Sequence, residues 1–368
     1  MPSARESREA MARLLALLGP PPAPPALAAA GTPEWAAVLR LADASWLSGA
    51  MAWRVRTHGL TPRLPPAVRD YVDGAAELAR QRAAAQVRQA RRLTAHLNAA
   101  GLVPVFLKGT AALLDDLYPD PGVRLSSDID LLLPADQVAR ALEVLRAAGY
   151  GGRGPRAPIM DPDGKHAPSL FHPAEPFAVE VHRHVLPEPL RRGLPADDAL
   201  AAAVPLAGPG EARVLSPEHR IVHCVLHMIE DHRSGRRIAL RQLLELRELA
   251  ARGGAEEMDR HRLARRFAAA GAGDAAAAIL LLAASLVAMP LPPQRFRPAA
   301  RLRARLLHLE LVDRPALGAV AGWLRIIAHR LRTRGPAAVA ATVLADDAPL
   351  RGVVRRTRIL VRKARSRA

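Results

Sequence analysis

The chain has 368 residues, which is enough for two or three domains with cores of their own. Half of the residues are hydrophobic but only 3% are aromatic, and this alanine-rich composition favours packed helices over sheets. The net charge of +18 rests on arginine, as a GC-rich coding bias would produce, so only local charge clusters are informative. The single cysteine, Cys224, excludes a disulfide framework and a cysteine-based metal site.

The first 100 residues are predicted to be mostly helical. A short amphipathic helix covers Met11 to Leu18, and the proline run from Pro20 to Pro25 interrupts the pattern. Two longer helices are predicted over Trp35 to Ala52 and over Ala67 to Ala99. Gly101 ends the second of these, because glycine is the usual residue just past a helix.

Short strands are predicted between residues 101 and 208. Strands and helices alternate there, with strands at Val103 to Leu107, Ser127 to Leu133 and Phe177 to Val185, and helices at Thr110 to Leu117 and Ala135 to Ala148. A Gly/Pro-rich excursion from Tyr150 to about Pro168 is predicted to be mobile. This alternation indicates a small α/β unit within a helical chain.

Helices return from Ser216, which precedes Pro217 as an N-cap. A further helix is predicted over Ile238 to Ala251, and the uncharged stretch Ala275 to Leu291 is interpreted as a buried core helix rather than a membrane span. The N-terminus makes a poor signal peptide, so a cytoplasmic protein is expected. Arg351 to Ala368 contains no acidic residue and forms a basic tail.

These patterns divide the chain into four predicted parts. They are an N-terminal helical region (1–100), a catalytic domain (101–208), a C-terminal helical domain (209–335) and the basic tail (336–368). The predicted fold class is α+β, with a small mixed β-sheet flanked by helical regions at both ends.

The stretch from Val103 to Pro134 carries the strongest functional signal. Asp128 and Asp130 lie two residues apart on a strand, so their carboxylates point to the same face and repel unless a cation lies between them. The turn at Gly109-Thr110 opens a helix whose backbone N–H groups suit an anion. Glu180, on a later strand, is a candidate third carboxylate for magnesium, or manganese, bound together with a nucleotide.

These residues resemble the polymerase-β-type nucleotidyltransferase superfamily. More narrowly, the segments LKGTAAL, LYPDPGVR, SSDIDLLL and VEVH are similar to an uncharacterised nucleotidyltransferase family of bacteria. The resemblance covers Val103 to about Val185 well and the helices after Ser216 loosely. It implies a nucleotidyltransferase fold and metal-dependent transfer of a nucleoside monophosphate from a nucleoside triphosphate.

The resemblance also implies a role for each matching position. Gly109 and Thr110 match the turn that holds the triphosphate, and Asp128 and Asp130 match the metal-binding pair. Glu180 matches the third acid, which helps to activate the attacking hydroxyl. The chain departs from the family pattern by threonine in place of serine at Thr110 and by the longer glutamate in place of aspartate at Glu180.

Each of three neighbouring residues has two possible roles, one functional and one structural. Lys108 contacts phosphate or is a solvated lysine at a strand end. Arg124 neutralises phosphate or pairs with Asp128. His182 orients Glu180 or the acceptor, or makes only a local hydrogen bond.

Two further features lie in the C-terminal helices. His223 and His227 have i, i+4 spacing, but the absence of an HExxH motif favours ordinary core or surface histidines. Glu245 matches a position that is usually acidic in the family, and an ordinary helix-surface glutamate explains it equally well.

The predicted function is therefore transfer of a nucleoside monophosphate from a magnesium-bound nucleoside triphosphate to an acceptor hydroxyl, with release of pyrophosphate. The acceptor is a small molecule, a peptide or protein, or an RNA. The alternative is a catalytically inactive or regulatory protein of the same fold that binds nucleic acid through its basic tail.

Overall fold

The computed structural model of the protein describes residues 4–20, 25–152, 164–234, 236, 238–253, 259–291, 295–313, 321–322 and 324–328. The helices of these residues are α1 (Ala4–Leu18), α2 (Pro25–Ala28), α3 (Thr32–Ala44), α4 (Ser48–Thr57), α5 (Pro66–Ala99), α6 (Lys108–Leu114), α7 (Val138–Ala147), α8 (Ala196–Ala201), α9 (Pro217–Arg233), α10 (Leu240–Arg252), α11 (Arg260–Ala269), α12 (Gly273–Val287) and α13 (Pro298–His308). The strands are β1 (Val105–Phe106), β2 (Asp128–Leu132), β3 (Ala178–His182), β4 (Val204–Pro205) and β5 (Arg213–Val214).

The strands form one mixed sheet, in the order β3-β2-β1-β5-β4. β1 pairs antiparallel with β2 and parallel with β5, whereas β2 pairs parallel with β3. A small mixed sheet in a mainly helical chain confirms the predicted α+β class.

Two predicted elements differ from the observed ones. The helix predicted over Trp35 to Ala52 is broken into α3 and α4 at Trp46, whose φ of 58° is left-handed and incompatible with a continuous helix. The strand predicted from Val103 is only two residues long, because the chain enters α6 directly at Lys108. The long helix α5 and the N-capped helix α9 form as predicted, with Ser216 Oγ accepting a hydrogen bond from the His219 backbone N–H.

The hydrophobic residues form two clusters. One cluster packs the sheet between α5 and α7, with Leu93, Ile129 and Val179 fully buried. The other cluster joins helices from both ends of the chain, from α1 to α4 and from α9 to α12. Arg247 of α10 connects these ends directly, because its NH1 donates to the Leu18 carbonyl of α1 at 2.8 Å. The helical regions before and after the sheet therefore pack against each other.

The apolar stretch predicted to be a buried helix is α12, and most of its alanine, leucine and isoleucine side chains are buried. Among the described residues, the helices all fall short of the length and apolar character that a bilayer crossing requires. Two other predictions, the mobile excursion between Tyr150 and Pro168 and the basic tail from Arg351, concern residues that lie largely or wholly outside the described ranges.

Candidate active site

The long helix α5 is hydrogen-bonded to the segments that carry the predicted site, namely α6, β2 and the start of β3. Gln86 is buried, and its Nε2 donates to Thr110 Oγ1 at 2.8 Å and to the Asp128 carbonyl at 3.0 Å. One turn along the same face, Gln89 pairs with both backbone groups of Phe177, at the start of β3. A buried side-chain amide loses its water contacts and therefore needs hydrogen bonds within the protein. The hydrogen bonds of Gln86 and Gln89 thus hold β2, β3 and α6 in fixed positions along α5.

The parallel pairing of β2 with β3 brings the predicted carboxylates together. Asp130 lies opposite Glu180 in the register, and His182 lies two residues further along β3. His182 Nε2 is 2.9 Å from Asp130 Oδ1 and 3.6 Å from Glu180 Oε2. One ligand atom from each of Asp130, Glu180 and His182 lies within 4.8 Å of the others, a spacing that could hold a metal ion.

The predicted Asp128 lies beside this compact group and is not one of its three members. Its carboxylate is half-buried at the edge of the cleft and accepts a hydrogen bond of 3.3 Å from Ser126 Oγ. The structure therefore adds His182 to the group of candidate ligands. Its place in the group follows from the strand register, which joins residues 52 positions apart.

The Lys108 ammonium contacts the most buried carboxylate of the site. Its Nζ is 2.6 Å from Oδ1 of Asp130, which is only 1% exposed. Burial by itself would lower the pKa of Lys108, but Asp130 and, more weakly, Asp128 raise it above its ordinary value. Lys108 is thus a charged, partly buried member of the site rather than a solvated lysine.

The turn from β1 into α6 leaves no room for a larger side chain. Lys108 has a φ of 51°, in the left-handed region that non-glycine residues rarely adopt. A Cβ on Gly109 would lie 3.0 Å from both Cβ and Oγ of Ser126. Thr110 is buried and its hydroxyl is held by Gln86, and the residues of this turn that line the cleft are Lys108 and Ala111.

The carboxylates have different pKa values because their surroundings differ. Burial and the neighbouring Asp130 raise the pKa of Asp128. Burial would also raise the pKa of Asp130, but Lys108 and His182 hold it well below its usual value. For Glu180, burial is outweighed by the hydrogen bond with His182, so its pKa is lowered. Asp128 is therefore the carboxylate that most lacks a positive partner.

One interpretation of the sequence paired Arg124 with Asp128. The structure instead pairs Arg124 with Glu245. Its Nε donates to Oε2 of Glu245 on α10 at 2.7 Å, and its NH1 donates to the Leu125 carbonyl at 2.6 Å. Both side chains of the pair are less than 10% exposed. The reading of Glu245 as a helix-surface residue is corrected by this geometry, since the glutamate is a buried counter-ion for the loop before β2.

A cleft of about 590 Å³ opens in front of these residues. One wall comes from the sheet edge and α6 and includes Lys108, Asp128 and Glu180. The opposite wall comes from α9 and α10, and its polar side chains include the cations Arg220 and Arg241, the carboxylates Glu230, Asp231 and Glu245, and also His223, His227 and Gln242. The i, i+4 histidine spacing marked two of these residues, but the sequence did not place them against the strand carboxylates.

The segment before β3 supplies further contacts that the sequence did not indicate. Lys165 Nζ is 3.0 Å from Glu230 of α9, so it ties this segment to the opposite wall of the cleft. Ser169 Oγ donates to Glu180 Oε1 at 3.0 Å, and His166 Nε2 is 3.5 Å from Oε2. Glu180 is consequently held on both carboxylate oxygens.

The family of the chain follows from comparison with protein families. Residues 31–288, well over half of the chain, match the family described as "Uncharacterised nucleotidyltransferase". The chain belongs to this nucleotidyltransferase family. No curated protein and no solved structure showed significant similarity to it. The match extends beyond the strands to α12, so the matched region includes both walls of the cleft.

The donor atoms of the site fit a divalent cation. The predicted set of Asp128, Asp130 and Glu180 offers only carboxylate oxygens, the ligands that magnesium prefers. The compact group of Asp130, Glu180 and His182 includes a ring nitrogen, which suits manganese or zinc better than magnesium. The raised pKa of Asp128 fits either case, because two carboxylates on one strand face need a cation beside them.

Proposed function

We propose that this nucleotidyltransferase moves a nucleoside monophosphate from a nucleoside triphosphate to an acceptor hydroxyl and releases pyrophosphate. One observation carries the proposal. Among the described residues, Asp128 and Glu180 have no lysine or arginine within salt-bridge distance, although both line the cleft. The carboxylates of Asp128 and Glu180 are repelled by that of the buried Asp130, and a bound cation offsets this repulsion.

Asp128, Asp130 and Glu180 would hold magnesium or manganese, with His182 supporting Asp130. When bound, such a cation neutralises phosphate charge and favours in-line displacement at phosphorus. The match to a nucleotidyltransferase family supports a nucleotide as the substrate at this place.

The first turn of α6 would bind the triphosphate. Backbone N–H groups at the start of a helix attract anions, and Gly109 keeps the approach open because it lacks a side chain. Lys108 places a positive charge at the same turn, where it compensates Asp130 and attracts phosphate. Thr110 holds the turn in place through Gln86. Arg124 also lines the cleft, next to Gly109, and is neutralised by Glu245.

Glu180 would accept the proton of the attacking hydroxyl. Its lowered pKa keeps it ionised at neutral pH, and Ser169 and His182 fix its two oxygens. In the transfer, the acceptor oxygen forms a bond to the α-phosphorus and the bond from that phosphorus to the bridging oxygen breaks. The proton passes to Glu180, and pyrophosphate leaves with the bonding electron pair.

The test is incubation with each of the four nucleoside triphosphates labelled at the α-phosphate, with magnesium or manganese and fractions of a cell lysate as the source of acceptors. We expect the label to enter one fraction with the wild type and not with the D128N/D130N variant. Circular dichroism of the double variant checks that its fold is intact. Equal labelling by the double variant would refute the proposed mechanism.

The alternative, a regulatory protein that binds nucleic acid through its tail, depends on residues 351–368, which lie outside the described ranges. The carboxylates that meet in the cleft favour the enzyme, because a bound cation would offset their mutual repulsion.

A further inference from the structure

The wall of the cleft formed by α9 and α10 contains buried side-chain nitrogens that are not hydrogen-bonded. Three of its residues have a buried side-chain nitrogen without a partner, namely NH2 of Arg220, Nε2 of His223 and Nε of Arg241. A buried polar group without a partner lowers the stability of the protein, unless a ligand or a rearranged side chain satisfies it. These three nitrogens lie on one wall, so the deficit is local.

The cations of the cleft differ in how they are neutralised. Most of them have a carboxylate within 4 Å, and these pairs are Lys108–Asp130, Arg124–Glu245, Lys165–Glu230, Arg220–Asp115 and Arg236–Asp231. Within the described part of the chain, Arg241 has no carboxylate at salt-bridge distance. Its guanidinium carbon lies 5.7 Å from the centre of the Trp46 ring, and the carboxylates that favour its charged form, Asp128, Glu245 and Asp231, act from beyond salt-bridge distance.

Other residues position Arg241 near the carboxylates of the opposite wall. The next residue, Gln242, donates to Nδ1 of His227 at 2.9 Å, and its carbonyl accepts from the Cys224 thiol. These contacts fasten the start of α10 to α9. Burial and Arg124 lower the pKa of Arg241, while Asp128, Glu245 and Asp231 raise it. Arg241 and Asp128 both line the cleft, on opposite walls.

The same wall is not arranged as a second metal site. Burial and Lys108 lower the pKa of His223 well below its ordinary value, and His227 shows the same effect. Neutral imidazoles can bind metals, but in the described residues these two do not form a group with a third ligand. A charged guanidinium with an unsatisfied donor instead suits an oxyanion, because guanidinium and phosphate match in charge and geometry.

We propose that Arg241 binds the phosphate chain of the substrate, facing the carboxylates across the cleft, and stabilises the departing pyrophosphate. This inference rests on the proposed function, since it assigns a residue to the triphosphate of that reaction. The carboxylate wall would take the cation, and the α9–α10 wall would take the phosphate oxygens that face away from it. The ligand class is an inorganic or nucleoside polyphosphate.

The experiment is isothermal titration calorimetry with inorganic pyrophosphate and magnesium, which requires no acceptor and no base. The variants are Arg241→Gln, Arg241→Lys and, as the matched control, Arg88→Gln, which removes an exposed arginine of α5 that does not line the cleft. Losing a hydrogen bond to a charged group weakens binding by about tenfold to a hundredfold, so we expect a Kd increase of this size for Arg241→Gln. Arg241→Lys should weaken binding less, because it keeps the charge, and the control should bind as the wild type does.

Two results would overturn the inference. One is a Kd for Arg241→Gln that equals that of the control. The other is an equal loss in Arg241→Gln and Arg241→Lys together with a lower unfolding temperature in both, which shows that Arg241 only supports the fold.

The outcome is separable from that of the labelling experiment. If pyrophosphate binds through Arg241 but no label is transferred, the proposed function fails and the phosphate site stands. If label is transferred with both KM for the nucleotide and kcat unchanged in Arg241→Gln, the function stands and the site is refuted.

Discussion

The buried ion pair between Arg124 and Glu245 gives the sharpest test of how the site is assembled. It joins the loop before β2 to α10 across 121 positions of the chain, and both side chains are less than 10% exposed. The substitution E245Q keeps the shape of the side chain and removes its charge. Arg124 then stays buried with a single carbonyl partner, that of Leu125. Because Arg124 packs against Gly109, its displacement also disturbs the turn into α6.

Breaking a buried pair on one side costs about 3–5 kcal/mol, since the remaining charge is left uncompensated. For a cooperative unit of about 250 residues, each kcal/mol lowers the unfolding temperature by about 2 °C. We therefore expect E245Q to unfold about 6–10 °C below the wild type. The double variant R124M/E245L should recover most of this loss, because an apolar pair of similar volume replaces the buried charges.

Thermal unfolding followed by circular dichroism at pH 7 measures the effect, and the four proteins of the cycle (wild type, R124M, E245L and the double variant) give the coupling energy. The control is D73N, which removes the exposed partner of Arg56 and should change the free energy of unfolding by less than about 1 kcal/mol. A shift in E245Q no larger than that in D73N would show that the pair does not hold the loop to α10.

Three more predictions concern the carboxylate wall. Burial and Asp130 raise the pKa of Asp128, so D128N should be at least as stable as the wild type in EDTA. A bound metal at one hundred times its Kd should stabilise the wild type by about 2.7 kcal/mol, and D128N should lose this stabilisation. Thermal unfolding with and without magnesium measures both effects. Gly109→Ala should lose about 1–3 kcal/mol in urea unfolding, since its methyl group would meet Ser126 at 3.0 Å, and wild-type stability would contradict this. The pKa of Asp130 is lower in the folded than in the unfolded protein, so its contribution to stability is present above its unfolded pKa of about 3.9 and is lost as pH falls through the folded value. Urea unfolding between pH 6 and pH 3 should therefore show a smaller acid loss for K108M than for the wild type, and parallel curves would contradict the assignment.

Local patterns of the sequence were sufficient for the carboxylate wall. Alternation along β2 and β3 put Asp128 and Asp130 on one strand and Glu180 with His182 on another, and the Gly109-Thr110 turn marked the start of a helix. Each of these signals spans only a few residues. Backbone geometry therefore determines them without reference to the rest of the chain.

Other features depend on contacts between distant parts of the chain. The β2–β3 register brings His182 to Asp130, and the packing of α10 gives Arg124 a buried partner in Glu245. The packing of α9 and α10 against the sheet edge builds the second wall of the cleft and, among the described residues, leaves Arg241 without a carboxylate at salt-bridge distance. Such pairings are decided by which surfaces bury each other, and residue spacing carries no record of that choice. The sequence by itself thus placed the carboxylates of one wall on their strands, and only the tertiary structure decided what faces them.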